Sequence, residues 1–344
     1  MRAVTFQAPG EVRVEEVPEP ALAEPTDAIV QVQASGICGS DLHIYHGRVP
    51  IAPGFTIGHE YVGRVVEVGA AVERVAPGAR VLGCFQTACG TCFWCLRCEY
   101  HRCARGRTFG HGAAMGDLQG AQAELLLVPH ADLTLRAAPE GLSDEVALFA
   151  GDVMGTGCHA IASAGTRAGD SVVILGLGPV GLCAVQAARV AGATPLLAVD
   201  TVEARLQMAR TLGAEPLHLE HDDVKRAVRA ATAGRGADLV VDAVGDPRAL
   251  ELAISLARPA GNVTAVGVYA ERCEVHMGLA WIKALTLRTG LANVIGHVDR
   301  VMAMMEAGAL DPAPLVTHRM SLEQAPEAYA LYDRREALKI LLRP

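Results

Sequence analysis

Two residue types are nearly missing from this chain. Among 344 residues there are three lysines (Lys225, Lys283, Lys339) and two asparagines (Asn262, Asn293). That bias suits a GC-rich genome, and scarce asparagine agrees with a thermophilic source. A basic excess is also missing: the net charge is -8, which argues against nucleic acid as a partner. No apolar run reaches membrane-spanning length, so no membrane partner is expected. The opening residues Met1-Arg2-Ala3-Val4-Thr5-Phe6 lack the apolar core of a secretion signal. The expectation from these absences is a cytoplasmic protein.

What is present is abundant glycine and about half hydrophobic residues, 51%, as in an α/β protein. A chain of 344 residues exceeds one compact core, so two domains are expected. Ten cysteines are present. In a reducing compartment, clustered cysteines indicate metal rather than disulfides.

Up to about residue 150 the chain carries short apolar strands divided by glycine and proline turns. Candidates lie at 4–6, 12–14, 28–34, 62–68, 79–81 and 125–128. This pattern predicts a β-rich domain. Within it runs Cys89-Gly-Thr-Cys92-Phe-Trp-Cys95-Leu-Arg-Cys98-Glu-Tyr-His-Arg-Cys103. Consecutive C-x-x-C spacings let thiolates converge on one tetrahedral ion. Cys89, Cys92, Cys95 and Cys103 are the expected ligands, with Cys98 left over. A closed four-thiolate site has no open position, so its role is structural. His111 follows on a glycine-rich loop, where it either faces a substrate or, as a lone loop histidine more often does, meets solvent.

A second chemical stretch spans residues 36–69. It holds Cys38-Gly39-Ser40-Asp41-Leu42-His43 and then Gly58-His59-Glu60-Tyr61-Val62-Gly63. A thiolate with a neutral imidazole is a preferred zinc pair. This segment is expected to hold a catalytic metal and a proton relay.

Residues 171–175 form a continuous apolar run, as in a strand buried on both faces. It leads into Gly176-Leu-Gly178-Pro179-Val180-Gly181, a helical stretch, a second apolar run and then Asp200. Strand, GxGxxG, helix, strand and acid in that order mark a dinucleotide fold. The glycines admit a pyrophosphate, and the helix N-terminus attracts its charge. Asp200 is expected to accept from ribose hydroxyls and repel a 2′-phosphate, favouring NAD. Arg205 tempers that preference. Later strands at 237–241, 261–266 and 285–290 place Val244, Val266, Gly267, Val268, Gly290 and Leu291 at carboxyl ends, where cofactor lies. Beyond them, 298–307 reads as an amphipathic helix, 323–333 as another and 339–342 as a final strand.

Taken together, these residues resemble the zinc-containing alcohol dehydrogenases of the medium-chain dehydrogenase/reductase superfamily. Gly58-His59-Glu60, Gly63, Gly69 and Val72 meet its G-H-E signature, and the cysteine lobe and GxGxxG follow in their places. Cys38-Gly39-Ser40-Asp41-Leu42-His43 is similar to the threonine and polyol dehydrogenase branch. The resemblance implies a GroES-like catalytic domain at 1–151, its zinc lobe near 86–105, a Rossmann domain at 152–293, and a return to the first domain at 294–344. It also implies one catalytic and one structural zinc. Cys38 and His59 are the implied catalytic ligands, with Glu60 a carboxylate that exchanges with water or substrate. Asp152 is the third ligand, with Cys158 as its alternative. Ser40 and His43 form the relay, Thr156 touches the nicotinamide, and glycine is usual where Cys98 stands.

The implied reaction is hydride transfer from an alcohol or polyol CH–OH to NAD in a homodimer or homotetramer, at a centre between the two domains. A formaldehyde- or aldehyde-converting relative is the alternative. A non-catalytic nucleotide-binding protein is disfavoured, because such a descendant needs no complete ligand set. The loops around Val49, Phe85, Phe109 and His111 are expected to build the substrate pocket.

Overall fold

The computed structural model describes residues 1–270 and 272–344, and divides into two compact units. The first comprises Met1–Gly155 and Asn293–Pro344; the second is Thr156–Ala292.

The first unit is built on a seven-stranded sheet. Its strands run in the order Val316–Ser321, Lys339–Arg343, Ala28–Gly36, Glu60–Val68, Arg80–Gly83 and Leu135–Ala137, with Leu125–Val128 also pairing with Ala28–Gly36. A smaller sheet joins Glu11–Glu16, Arg2–Ala8 and Phe55–Thr56. Two cores result. Val30, Val32, Tyr61, Val65, Val81 and Leu126 pack in one. Phe6, Ile37, Ile44, Ile57, Tyr329 and Ile340 pack in the other. Removing such side chains from water contributes roughly 1.5–3 kcal/mol each.

Phe109 is fully buried against Tyr61. Val49 packs beside the second core. Both are core-directed side chains, so the loops that carry them, rather than these side chains, are what the substrate-pocket expectation concerns.

The second unit is a six-stranded parallel sheet. In spatial order its strands are Glu215–His218, Leu196–Asp200, Val172–Leu175, Ala237–Asp242, Ala257–Ala265 and Thr286–Thr289. Val172–Leu175 is buried throughout, as its apolar run demanded. Caps set the helix starts. Asp223 and Asp246 accept the amides of Arg226 and Arg248, and Pro179 and Pro247 occupy first-turn positions where no amide bond is lost.

Two elements carried no readable signal. Glu215–His218 is a short edge strand holding Pro216, tolerable there because one side of an edge needs no donor. Met277–Ile282 is a helix with every side chain at least partly exposed, so it has no buried stripe.

Candidate active site

The chain first brings a thiol to the end of a strand. Ala28–Gly36 ends just before Cys38, which caps the helix Gly39–Tyr45. Asp41 accepts the Cys38 amide at 2.9 Å, fixing that turn. His59 immediately precedes the strand Glu60–Val68, and Asp152 terminates the short helix Leu148–Gly151. These segments converge. One ligand atom from each of Cys38, His59, Glu60 and Asp152 lies within 4.8 Å of the others. Cys158, the alternative to Asp152, is buried in the helix Val153–Ala162 and is outside this group.

All four side chains are buried. His59 Nε2 lies 3.1 Å from Asp152 Oδ2 and 3.3 Å from Ser40 Oγ. Its other nitrogen, Nδ1, is 3.1 Å from Asp41 Oδ1. Burial opposes a charged His59, but Asp41 and Asp152 outweigh it and hold its pKa well above the ordinary value. Burial likewise opposes the Asp152 carboxylate, yet the His59 hydrogen bond and charge bring it down to about 2. The Cys38 thiol is pushed up to about 11 by burial and by Asp152. Negative groups thus crowd one dry pocket, which is the electrostatic setting a cation relieves. Glu60 Oε2 is buried with no hydrogen-bond partner. A thiolate, an imidazole and carboxylates are a zinc donor set, so these residues fit that metal.

Ser40 and His43 are three residues apart on the helix Gly39–Tyr45, hence on one face. Ser40 reaches His59, while His43 Nδ1 is buried without a hydrogen-bond partner. Of the two readings of His111, the solvated one is corrected. Rather than being solvated, it is half-buried with its ring centroid 5.0 Å from that of His59, and Nδ1 lies 2.8 Å from the Phe109 carbonyl oxygen. Phe85 meets the His59 ring edge-on at 6.3 Å between centroids.

Sequence reading assigned no role to four further residues here. Asp41 backs His59. Gln122 donates to the Gly36 carbonyl at 3.2 Å, and the Tyr329 hydroxyl donates to Gln122 Oε1 at 2.9 Å. Lys339 pairs with Glu60. Only Asp41 had a local signal, three residues past a candidate ligand. The others come from far along the chain.

The cysteine lobe also assembles. Cys89, Cys92, Cys95 and Cys103 form one group, with Cys92 Sγ 3.6 Å from Cys95 Sγ and 3.9 Å from Cys103 Sγ. Burial opposes ionisation of Cys89, but hydrogen bonds from Thr91 bring it to about 5. Four sulfurs at this spacing fit a closed zinc site. Cys98 stands outside the group, exposed and in the left-handed region at φ 59°.

On the second unit, Gly176 has φ +84°, and Gly178 caps the helix Pro179–Val190 with open space around it. A Cβ on Gly181 would lie 1.8 Å from the Gly176 oxygen, so only glycine lets strand and helix approach so closely. Asp200 ends its strand and is buried. It accepts from the amides of Leu177 at 2.6 Å, Thr201 at 2.7 Å and Val202 at 2.9 Å, with Arg205 3.9 Å away. Its carboxylate therefore braces the glycine turn as well as marking the strand end. Val244, Val266, Gly267, Val268, Gly290 and Leu291 all follow carboxyl ends of the parallel sheet. Thr156 is buried in the helix Val153–Ala162.

This geometry has close parallels. The pattern of the alcohol dehydrogenase GroES-like domain matches residues 24–139, and that of the zinc-binding dehydrogenase matches residues 179–307. A probable zinc-binding alcohol dehydrogenase from Mycobacterium tuberculosis is 39% identical, over 100% of this chain and 89% of its own. The chain belongs to the zinc-containing alcohol dehydrogenases of the medium-chain dehydrogenase/reductase superfamily.

Solved structures agree. TADH from Thermus sp. ATN1 is 46% identical with a TM-score of 0.96, covering 100% of this chain and 99% of its own. A zinc-binding dehydrogenase from Sinorhizobium meliloti bound to NADP is 30% identical with a TM-score of 0.87, covering 100% and 99%. This alcohol dehydrogenase is thus a zinc-dependent, NAD(P)-dependent oxidoreductase acting on a small-molecule alcohol. Its α/β fold joins a GroES-like domain to a Rossmann sheet. Among the described residues, no helix is long and apolar enough to cross a membrane.

Proposed function

We propose that the enzyme oxidises a small alcohol or polyol to a ketone or aldehyde with NAD, holding one catalytic zinc and one structural zinc. The observation that carries this reading is the convergence of Cys38, His59, Glu60 and Asp152 in one buried pocket. A zinc ion held there supplies Lewis acidity, which makes an alcohol hydroxyl easier to ionise. Ser40, beside His59, would accept the substrate proton on its hydroxyl oxygen while releasing its own hydroxyl proton toward His43. His43 passes it outward through a bridging hydroxyl or water, since among the described residues no direct Ser40–His43 hydrogen bond is formed. His111 and Phe85 flank the His59 ring and shape the space a substrate enters. The cysteine lobe holds the structural zinc through Cys89, Cys92, Cys95 and Cys103.

Preference for NAD is supported by the negative charge of Asp200 at the strand end, where a 2′-phosphate would be repelled. Thr156, the Gly176–Gly181 turn, Arg205 and the loops after the later strands make up the rest of the cofactor site. A homodimer or homotetramer is supported by the edge strand Thr286–Thr289 and its neighbours. Trp281 and Ile282 are 80% and 74% exposed beside it, the kind of apolar edge that pairs with another copy. Ten free cysteines suit a reducing, cytoplasmic setting.

The test combines metal analysis with an NAD-reduction screen over alcohols, polyols, threonine and formaldehyde. Two zincs per chain and turnover of an alcohol or polyol are expected. Asp152→Ala is expected to empty the catalytic site while leaving the cysteine lobe filled. Full occupancy in that variant would refute the ligand assignment, and turnover confined to formaldehyde would refute the substrate class.

A further inference from the structure

Lys339 and Glu60 form an ion pair with no exposure on either side chain. The pair is built across three neighbouring strands. Ala28–Gly36 lies between Lys339–Arg343 and Glu60–Val68. Its last residue, Gly36, pairs with Glu60 on one side and Leu341 on the other. A Cβ at Gly36 would lie 2.5 Å from Glu60 Oε2 and 3.1 Å from Lys339 Cε. The missing side chain is therefore what lets the two charged groups meet.

The two oxygens of Glu60 have different surroundings. Oε1 accepts a hydrogen bond from Lys339 Nζ, which also donates to the Ile37 carbonyl at 3.1 Å. Oε2 is buried and has no hydrogen-bond partner. The Ile37 contact ties Lys339 to the residue next to Cys38, so the ammonium is fixed from two directions.

We propose that Lys339 is a positioning residue of the metal site, holding Glu60 by one oxygen so that a single oxygen is left for the pocket. This rests on the reading of Cys38, His59, Glu60 and Asp152 as zinc ligands. Charge gives the reason. A thiolate and two carboxylates bring three negative charges to a dry pocket. A dication offsets two of them, and the Lys339 ammonium offsets the third. Without Lys339, Glu60 keeps an uncompensated charge and both oxygens are free to compete for the same position.

The experiment uses the full-length protein with Co(II) in the Cys38 site and zinc in the cysteine lobe. Wild type is compared with Lys339→Met, Glu60→Gln and the double variant. Cobalt absorption bands report coordination number without turnover, and chelator competition reports metal release. Lys339→Met is expected to weaken the visible bands, as an added ligand oxygen does, and to change the release rate about tenfold. In the double variant both effects are expected to disappear relative to Glu60→Gln alone, because the two residues act as one unit. Wild-type bands and release in Lys339→Met would overturn the proposal, as would simple additivity. Should Lys339→Met fail to fold, the double variant is expected to regain stability, having lost both buried charges; a double variant no more stable than Lys339→Met would overturn it. A wild-type protein that takes up no cobalt at Cys38 would overturn the ligand reading itself, and is thereby distinguished from failure of the Lys339 role alone.

Discussion

Asp41 Oδ1 lies 3.1 Å from His59 Nδ1, and both side chains are buried. The carboxylate faces one ring nitrogen, and the other, Nε2, faces Asp152 and Ser40. Partners of this kind are typically worth about 10–100-fold in metal affinity. Asp41→Asn is expected to weaken zinc at the Cys38 site by about that factor while the cysteine lobe keeps its ion. Chelator titration that follows the two sites separately checks this.

Cys98 sits at φ 59° with its sulfur outside the four-thiol group. A side chain in this region costs about 1–2 kcal/mol, whereas glycine is at ease there. Part of that gain is lost to the freer unfolded chain. Cys98→Gly is therefore expected to stabilise the protein by about 1 kcal/mol without changing its zinc content. Denaturant unfolding with metal analysis measures both.

Asp238 accepts from the Ser171 amide at 2.8 Å, the Ser171 hydroxyl at 2.6 Å and Arg258 Nε at 2.6 Å. Burial opposes its charge, but these donors win and hold the carboxyl below its usual range. A carboxyl whose folded pKa lies below its unfolded one stabilises the fold above the unfolded value. That contribution is lost as pH falls through the folded value. Asp238→Asn is expected to cost about 1–2 kcal/mol near neutrality and progressively less as the solution is acidified below the usual carboxylate range. Unfolding curves for both proteins over that acid range test the sign.

Asp200 holds three backbone amides while carrying charge at the end of its strand. Asp200→Asn keeps an acceptor and removes the charge. The ratio of kcat/KM for NAD over NADP is expected to fall by about tenfold, equivalent to about 1.4 kcal/mol. Steady-state kinetics with both cofactors gives the ratio, and an unchanged ratio would remove Asp200 from cofactor selection.

Local chemistry was legible in the sequence wherever spacing alone carries it. The four-thiol lobe occupies fifteen consecutive positions from Cys89 to Cys103, and the strand leading into Gly176 is written as an unbroken apolar run. Lys339 was not legible, because it donates to Ile37 across 302 positions and nothing near residue 339 records that meeting. Gln122 and Tyr329 were hidden for the same reason, being 207 positions apart. The sequence could not decide between the two readings of His111, because a glycine-rich loop suggests solvent while the tertiary fold lays this one against His59. Asp41 lay within the chemical stretch at residues 36–69. Its contact with His59 depends on the helix Gly39–Tyr45, which no periodic signal announced.

The first unit is completed only by residues after 292, whereas the second is one uninterrupted segment, Thr156–Ala292. During synthesis the Rossmann sheet has all of its strands while the ribosome still withholds Lys339–Arg343. The two candidate metal sites differ accordingly. The Cys89–Cys103 loop is short, so closing it costs little chain entropy, and it is able to trap an ion as soon as it emerges. The Cys38 pocket must wait for its ammonium, Lys339, 279 positions after Glu60, before that carboxylate is paired. In order of synthesis the cysteine lobe is therefore complete early, and the Cys38 pocket only once Lys339 has been added.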